Sequence, residues 1–489
     1  MPAPLVLEVN ARCWLRELSL RRRGAVGLGN VPAVEFNRWR ALGFTHIWLM
    51  GVWTTGPRSR ETFLRQHDTA ARLDALFPGG WTEADVPGSP YAIAEYGVPD
   101  SLGGEPGLRE FRAELHRRGM KLLLDFVPNH VGLDHPWLLE HPEFFVQSER
   151  AIPGTFLQPT RRGPRWIAHG KDPFFPPWQD TAQLDLRLPA LRLALISQLR
   201  AVAERCDGVR CDMAMLALND VFARNWAHLP CPAAAPETEF WTEALDAAPS
   251  GTLFLAEAYW DLEARLQLLG FDFTYDKRVT DFVVEHRPRD LQRHLLERGD
   301  AFVTRSAHFL ENHDEPRIAP RLTLEEHRAA ALLVLGLPGL RLLHEGQTGG
   351  ARLGTPVQLA RRPEERKEPA VEQIYQRLLT VVLDTAVGRG KARLLAPAPA
   401  APGDETWKDV IAVQWQAEES GIELVLVNLA EHAAAFILPL PDGLRRTTKW
   451  RGHDRLGDER FEGTRDEANE GLLLVLPPHC GKLICVEAL

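Results

Sequence analysis

The segment DGVRCDMA places an arginine and an aspartate, Arg210 and Asp212, two residues apart at the end of a short apolar run. Strand side chains alternate with period two, so both fall on one face, where the guanidinium holds the carboxylate ionised. An ionised, oriented carboxylate at a strand tip is what covalent glycosyl transfer requires of its nucleophile. A structural salt bridge would use the same pair, and the choice rests on three further segments with polar residues after apolar runs. These are DFVPNH (Asp125, Asn129, His130), FLAEAYW (Glu257) and FLENHDEPR (Asn312, His313, Asp314, Arg317). Singly, a carboxylate there can cap the next helix and a histidine can be a satisfied hydrogen-bonding residue. Together they suggest a division of labour. Glu257, between LFLA and Ala-Tyr-Trp, is expected to be desolvated, which raises a carboxyl pKa as a general acid requires. Asp212 beside Arg210 is expected to stay charged. Such a pair forms the acid and nucleophile of a retaining glycosidase, with the carboxyl groups roughly 5–5.5 Å apart.

The elements that must position these groups follow from periodicity. Apolar runs at 4–10, 45–50, 121–127, 207–212, 252–257, 271–275, 307–312 and 340–345 predict eight strands. Helical stripes lie between them: Phe36, Trp39 and Leu42 before Gly43; Leu108, Phe111 and Leu115 before Gly119; Leu191, Leu195, Leu199 and Val202 after Pro189. Short continuous apolar runs separated by amphipathic helices predict an α/β fold with a parallel sheet. An open doubly wound sheet and a (β/α)₈ TIM barrel both fit. The barrel is favoured because the polar residues cluster at the C-terminal ends of several strands. Two stretches interrupt the alternation, 52–106 and 130–188, both punctuated by Pro and Gly. The predicted layout is barrel over 1–129, a small excursion domain after strand three over 130–188, barrel again over 189–393, and 394–489 as linker and C-terminal antiparallel β-sandwich. The linker is the Ala/Pro-rich LLAPAPAAPGDE, and the runs after it, such as VIAVQWQ and IELVLVNL, are strand-like.

Composition limits the function classes. The chain of 489 residues is 45% apolar and 25% charged, enough for sizeable cores in two or three domains. A net charge of −9 without a long basic run argues against nucleic-acid and anionic-membrane partners and suits a neutral one such as a sugar. The six cysteines lack metal-ligand spacing. With no leader-like N-terminus and no apolar run of about 18 residues, a reducing, cytoplasmic location is expected.

Four motifs in order, DFVPNH, GVRCD, the Glu of FLAEAYW and ENHD, with SPYAIAEY at 89–96 and GLPGLRLLHEG downstream, resemble the α-amylase superfamily of retaining glycoside hydrolases and transglycosylases. The resemblance implies Asp212 as nucleophile, Glu257 as acid/base and Asp314 as third carboxylate. It also implies His130 and His313 on the sugar of subsite −1, Arg210 orienting the nucleophile and Tyr91 stacking beneath that sugar, although a core tyrosine would occupy the same turn. The substrate implied is an α-glucan or α-glucoside. Trp137, Trp166, Trp178 and Trp260 are candidate stacking platforms or packing residues. Asn129 matches a position that binds calcium in many relatives. The excursion domain lacks a cluster of acidic ligands, with LD at 184–185 the partial match to the supporting motif, so no tightly held metal and no cofactor are expected.

The leading expectation is an α-amylase-like hydrolase. The second is a transglycosylase or a maltosyl transferase with phosphate as acceptor, for which Arg352, Arg361, Arg362 and Arg366 could meet the anion among interleaved glutamates. The third is an inactive carbohydrate-binding relative, disfavoured by the retention of all three carboxylates. Two departures stand out: Ala92 replaces an aspartate common in the family, and Met215 and Leu216 stand where relatives commonly carry Lys and His at subsite +1. That apolar pair predicts weak binding of a plain glucosyl unit there and poor action on long starch.

Overall fold

A computed structural model of the chain describes residues 3–161, 163–229, 231, 233, 235–417, 421–439, 449–464 and 471–488. Eight short parallel strands close into a barrel: β1 (Leu5–Asn10), β2 (His46–Met50), β3 (Lys121–Phe126), β4 (Gly208–Cys211), β5 (Leu253–Ala256), β6 (Phe273–Tyr275), β7 (Ser306–His308) and β8 (Leu340–His344). Each bonds to the next in sequence, and β8 returns to β1 with Arg341 opposite Leu5. The strands are apolar on both faces because both are covered. Val6, Trp48, Met50, Leu123, Leu255 and Tyr275 fill the interior, while Val9, Leu49, Leu122, Val209 and Ala256 pack against the surrounding helices. β4 begins on a glycine because neighbouring backbone is close: a Cβ at Gly208 would stand 3.0 Å from the Leu253 carbonyl oxygen.

The predicted seventh strand reaches Asn312, but β7 ends at His308. Beyond it, local side-chain bonds replace the ladder. Asn312 Oδ1 accepts from the backbone N–H groups of Asp314 and Glu315, and buried Glu311 accepts from the Ile318 N–H. This turns the chain so that His313 and Asp314 face the barrel mouth.

Between β3 and β4 the chain builds an antiparallel sheet of Gln147–Ser148, Arg165–Ala168 and Thr155–Gln158, and pairs His130–Gly132 with Thr181–Gln183. The stretch between β2 and β3 holds more than Pro/Gly-rich loop. It contains helices Pro57–Arg65 and Thr69–Leu76, gathered on a small core of Phe63, Leu73, Phe77, Val86 and Leu359.

The C-terminal region is a sandwich of antiparallel sheets. One has six strands in the order Lys391–Leu395, Val410–Gln416, Ile422–Asn428, Cys480–Ala488, Lys449–Asp454, Arg460–Thr464; the other pairs Ala398–Pro399, Ala434–Leu438 and Leu472–Leu476. The segment expected as a linker therefore contributes to both sheets. Leu424, Phe436, Trp450 and Ile484 fill the space between them. The opposite face of the larger sheet, with Trp415 and Val425, packs on the barrel helix Leu324–Gly336. Trp415 Nε1 donates to the Gly336 carbonyl at 2.7 Å, and a Cβ at Gly336 would come within 2.5 Å of Val425, so the close approach requires glycine.

Candidate active site

The C-terminal ends of the strands converge on a cavity of about 850 Å³ lined by, among others, Tyr91, His130, Asp212, Glu257, Tyr259 and Asp314. Arg210, on β4 and wholly buried, organises its floor. Its Nη1 donates to Asp212 Oδ1 at 2.8 Å, and its Nη2 lies 2.8 Å from Glu257 Oε2. Asp125 Oδ1, from β3, is 3.6 Å from Nη1. The guanidinium is walled by rings, 5.2 Å from Trp48, 5.3 Å from Tyr91 and 5.8 Å from Tyr275. A planar, permanently charged group with several donors in a rigid fork can hold two carboxylates at once in fixed geometry.

The backbone sets both carboxylates. Asp212 N–H donates to Phe126 O, extending the β3–β4 ladder one step, and Glu257 N–H donates to Cys211 O. Glu257 Oε2 accepts from the Met213 N–H at 2.7 Å and Oε1 from the Tyr259 hydroxyl at 3.0 Å. Burial pushes Glu257 up to about 7 despite Arg210, with Asp212 and Asp314 adding to the rise. Burial also raises Asp212 above the ordinary carboxylate range, against the pull of Arg210, so the ion pair counters the desolvation of this group without cancelling it. Asp125 is pushed up to about 7 by burial.

Asp314 differs. Desolvation in the cavity would raise it, but its side chain is about half exposed and His313 prevails, holding it below the usual range. His313 Nε2 lies 2.9 Å from Asp314 Oδ2 and 2.8 Å from the Tyr91 hydroxyl, and its ring stacks on Tyr91 with centroids 5.3 Å apart. Its Nδ1 meets Glu8 Oε1 at 2.5 Å. Burial would lower the imidazole pKa, but Asp314 and Glu8 raise it well above the ordinary value, so His313 carries both protons. His130 is the reverse: burial lowers it to about 4, leaving it neutral beside Trp178. One histidine can donate and accept; the other is a fixed cation.

All seven residues singled out from the sequence, Asp212, Glu257, Asp314, Tyr91, His130, Arg210 and His313, meet in this cavity or its floor. Trp178 and Trp260 line it as well. Trp137 instead packs on His135 and Phe144, and Trp166 lies in the excursion sheet. Met215 and Leu216 do not form an apolar +1 surface: in the 3₁₀ turn Ala214–Ala217 they are 0% and 1% exposed and belong to the core, while Met213 reaches the cavity. A turn that follows Asp212 with Met213 in left-handed conformation, φ +43°, points the next side chains inward. Arg361, Arg362 and Arg366 line a separate groove of about 700 Å³, and Arg362 is bound to Glu17 and Glu345. Arg352 is away from the cavity too, its backbone N–H bound by Glu365.

Glu8 and Tyr259 are participants that sequence reasoning missed; Tyr259 supplies the hydroxyl bound to Glu257. Glu8 is fully buried on β1, beneath His313, with its second oxygen unpaired. A lone carboxylate within LVLEVN was the available signal, since a charge in a covered strand needs a partner inside the barrel.

The calcium position can be tested on its donor set. Gln183 Nε2 lies 2.8 Å from Asn129 O, 3.0 Å from Asn129 Oδ1 and 3.0 Å from Leu184 O. Three carbonyl oxygens that could face a cation instead converge on one buried amide nitrogen, so these residues do not fit the metal. Among the described residues no group of three or more His, Cys, Asp or Glu side chains is arranged to hold a metal ion, and no helix is long and apolar enough to cross a membrane.

Known proteins share this fold. The catalytic-domain profile of the α-amylases matches residues 38–377. The α-amylase MalA of Haloarcula japonica is 25% identical over 303 residues, 61% of this chain but 42% of its own length. An α-1,4-glucan:maltose-1-phosphate maltosyltransferase of Cereibacter sphaeroides is 44% identical over 111 residues, 22% of this chain and 14% of its own. The crystal structure of the maltogenic α-amylase AmyB from Thermotoga neapolitana superposes with a TM-score of 0.68 at 19% identity, covering 99% of both chains. This chain thus spans less than half the length of the curated relatives it matches. By the profile match over the greater part of its length, the chain belongs to the α-amylase family.

Proposed function

We propose that the chain is a retaining glycosidase acting on α-glucosidic linkages of oligo- or polysaccharides by double displacement. Glu257 enters protonated and donates to the glycosidic oxygen as Asp212 attacks the anomeric carbon; the leaving sugar departs with that proton. Water then gives a proton to Glu257, now the base, and its oxygen displaces Asp212 from the covalent intermediate. Asp314, kept charged by His313, accepts from sugar hydroxyls and opposes the positive charge that develops at the anomeric centre. Tyr91 offers its face to the sugar, and neutral His130 can donate or accept.

The observation that carries this reading is the one buried guanidinium shared by Asp212 and Glu257. It keeps two carboxylates adjacent and oriented while burial leaves Glu257 able to hold a proton near neutrality. Asp212→Asn and Glu257→Gln should retain the fold by circular dichroism and lose several orders of magnitude in kcat on maltooligosaccharides. NMR of the first product should show the α anomer; the β anomer would exclude covalent attack by Asp212. The local similarity to maltosyltransferases favours a second reading, transfer of a maltosyl unit to phosphate. The same assay with phosphate present separates the two, because transfer yields a sugar phosphate in place of a reducing end.

A further inference from the structure

Two aromatic rings from distant parts of the chain meet at the rim of the catalytic cavity. Phe174 and Phe175 lie in PFFPPW of the excursion region, on a turn held by Asp172, whose Oδ1 accepts from both backbone N–H groups at 2.6 and 2.9 Å. They are 68% and 69% exposed, unusual for phenylalanine on a turn so firmly fixed. Phe174 meets Trp260 edge to face, with centroids 5.0 Å apart and planes at 66°. Trp260 and Phe175 line the cavity.

Trp260 is held with unusual care. It and Asp261 adopt left-handed backbone, φ +66° and +62°, a conformation that bulky side chains avoid. Asp261 anchors the turn through Arg278 at 2.7 Å on one oxygen and Arg298 at 2.6 Å on the other. Such strain persists where surrounding contacts over-determine it, and it clusters at clamps around ligands. Trp260 is three residues beyond Glu257, the proposed acid, whose proton goes to the leaving group. Tyr259, the chain neighbour of Trp260, donates to Glu257 Oε1 at 3.0 Å, so the loop that carries Trp260 is tied to that acid, and on this the rings are assigned to the leaving-group side.

We propose that the contact of Phe174 with Trp260, flanked by Phe175, spans the leaving-group end of the cleft, stacks a short leaving group against Trp260 and selects short α-glucosides over long chains. A polymer must part the two rings to lie through the cleft; a short oligosaccharide need not. Selectivity for short substrates thus comes from these rings and not from buried Met215 and Leu216. The proposal rests on Glu257 being the acid.

The test is the ratio of kcat/KM on long amylose to that on maltotetraose. Phe174→Ala and Asp261→Ala, which remove one ring and the anchor of the other, should each raise the ratio by roughly 2- to 12-fold, the range an aromatic pair supplies. A ratio unchanged in both variants, with melting curves like the parent's, overturns the proposal. A second measurement needs no turnover: affinity electrophoresis in soluble starch of the same variants carrying Asp212→Asn. Greater retardation than Asp212→Asn alone supports the clamp even if the parent hydrolyses no α-glucoside, in which case the catalytic reading fails by itself. Unchanged retardation in an active enzyme removes the clamp and leaves the catalytic reading standing.

Discussion

Arg210 shows how one buried cation can serve two carboxylates to which the proposed mechanism gives opposite protonation states. Its charge opposes the desolvation of both and Asp314 adds to the rise of both, while Asp212 raises Glu257 further, to about 7. A carboxyl with a raised pKa keeps its proton to higher pH, so the active, protonated form is lost as pH rises through that value. kcat/KM on maltotriose should therefore fall on the alkaline side with an apparent pKa near 7. Glu257→Gln should cost about 10²- to 10⁴-fold or more on maltotriose and less on an aryl α-maltoside, whose good leaving group needs little protonation. Equal losses on the two substrates would show that Glu257 does not protonate the leaving group. The pairing of Arg210 with Asp212 was legible from a spacing of two in a strand. Its second hand on Glu257 was not, because that contact joins neighbouring strands 47 residues apart in sequence.

At the scale of elements, the segment after β3 and the strand Thr181–Gln183 form one unit. Their antiparallel pairing sets Gln183 opposite His130, and the Gln183 amide closes the three-carbonyl nest around Asn129. This positions His130 and Trp178 at the cavity. Chelator or added calcium should leave the thermal midpoint of the purified protein unchanged; a large fall with chelator would show that a cation shares this nest. Gln183→Ala should destabilise by on the order of 1–3 kcal/mol in denaturant titration, because buried carbonyls lose their donor. The lack of an acidic cluster in this region was visible in the sequence, whereas the role of Gln183 was hidden because an amide at that position gains its meaning only from the register of the strand pair.

At the scale of the molecule, the sandwich is a buttress. Its larger sheet is apolar on both faces, one turned to the smaller sheet and one to the barrel helix Leu324–Gly336, which leads into β8. Trp415 is 2% exposed at that junction. Trp415→Ala should lower stability by about 3–5 kcal/mol through the cavity it leaves. Because the junction lies on the outer side of the barrel wall, kcat/KM should change little, as steady-state kinetics below the unfolding range would show. A loss of activity parallel to that of Glu257→Gln would mean that the sandwich shapes the cleft directly.

The strand and helix alternation, the motif order and the identities of Asp212, Glu257, Asp314, Tyr91, His130, Arg210 and His313 were all present in the sequence. Each depends on local periodicity or on a short motif, which a linear chain displays. What tertiary structure decided were relations between segments. Burial turned Met215 and Leu216 into core residues, placed Glu8 beneath His313, drew the Ala/Pro-rich segment into both sheets of the sandwich and brought Phe174 against Trp260. Side-chain direction after a left-handed turn, and contact across a closed barrel, are set by the three-dimensional path of the backbone, and residue type and spacing carry no record of that path.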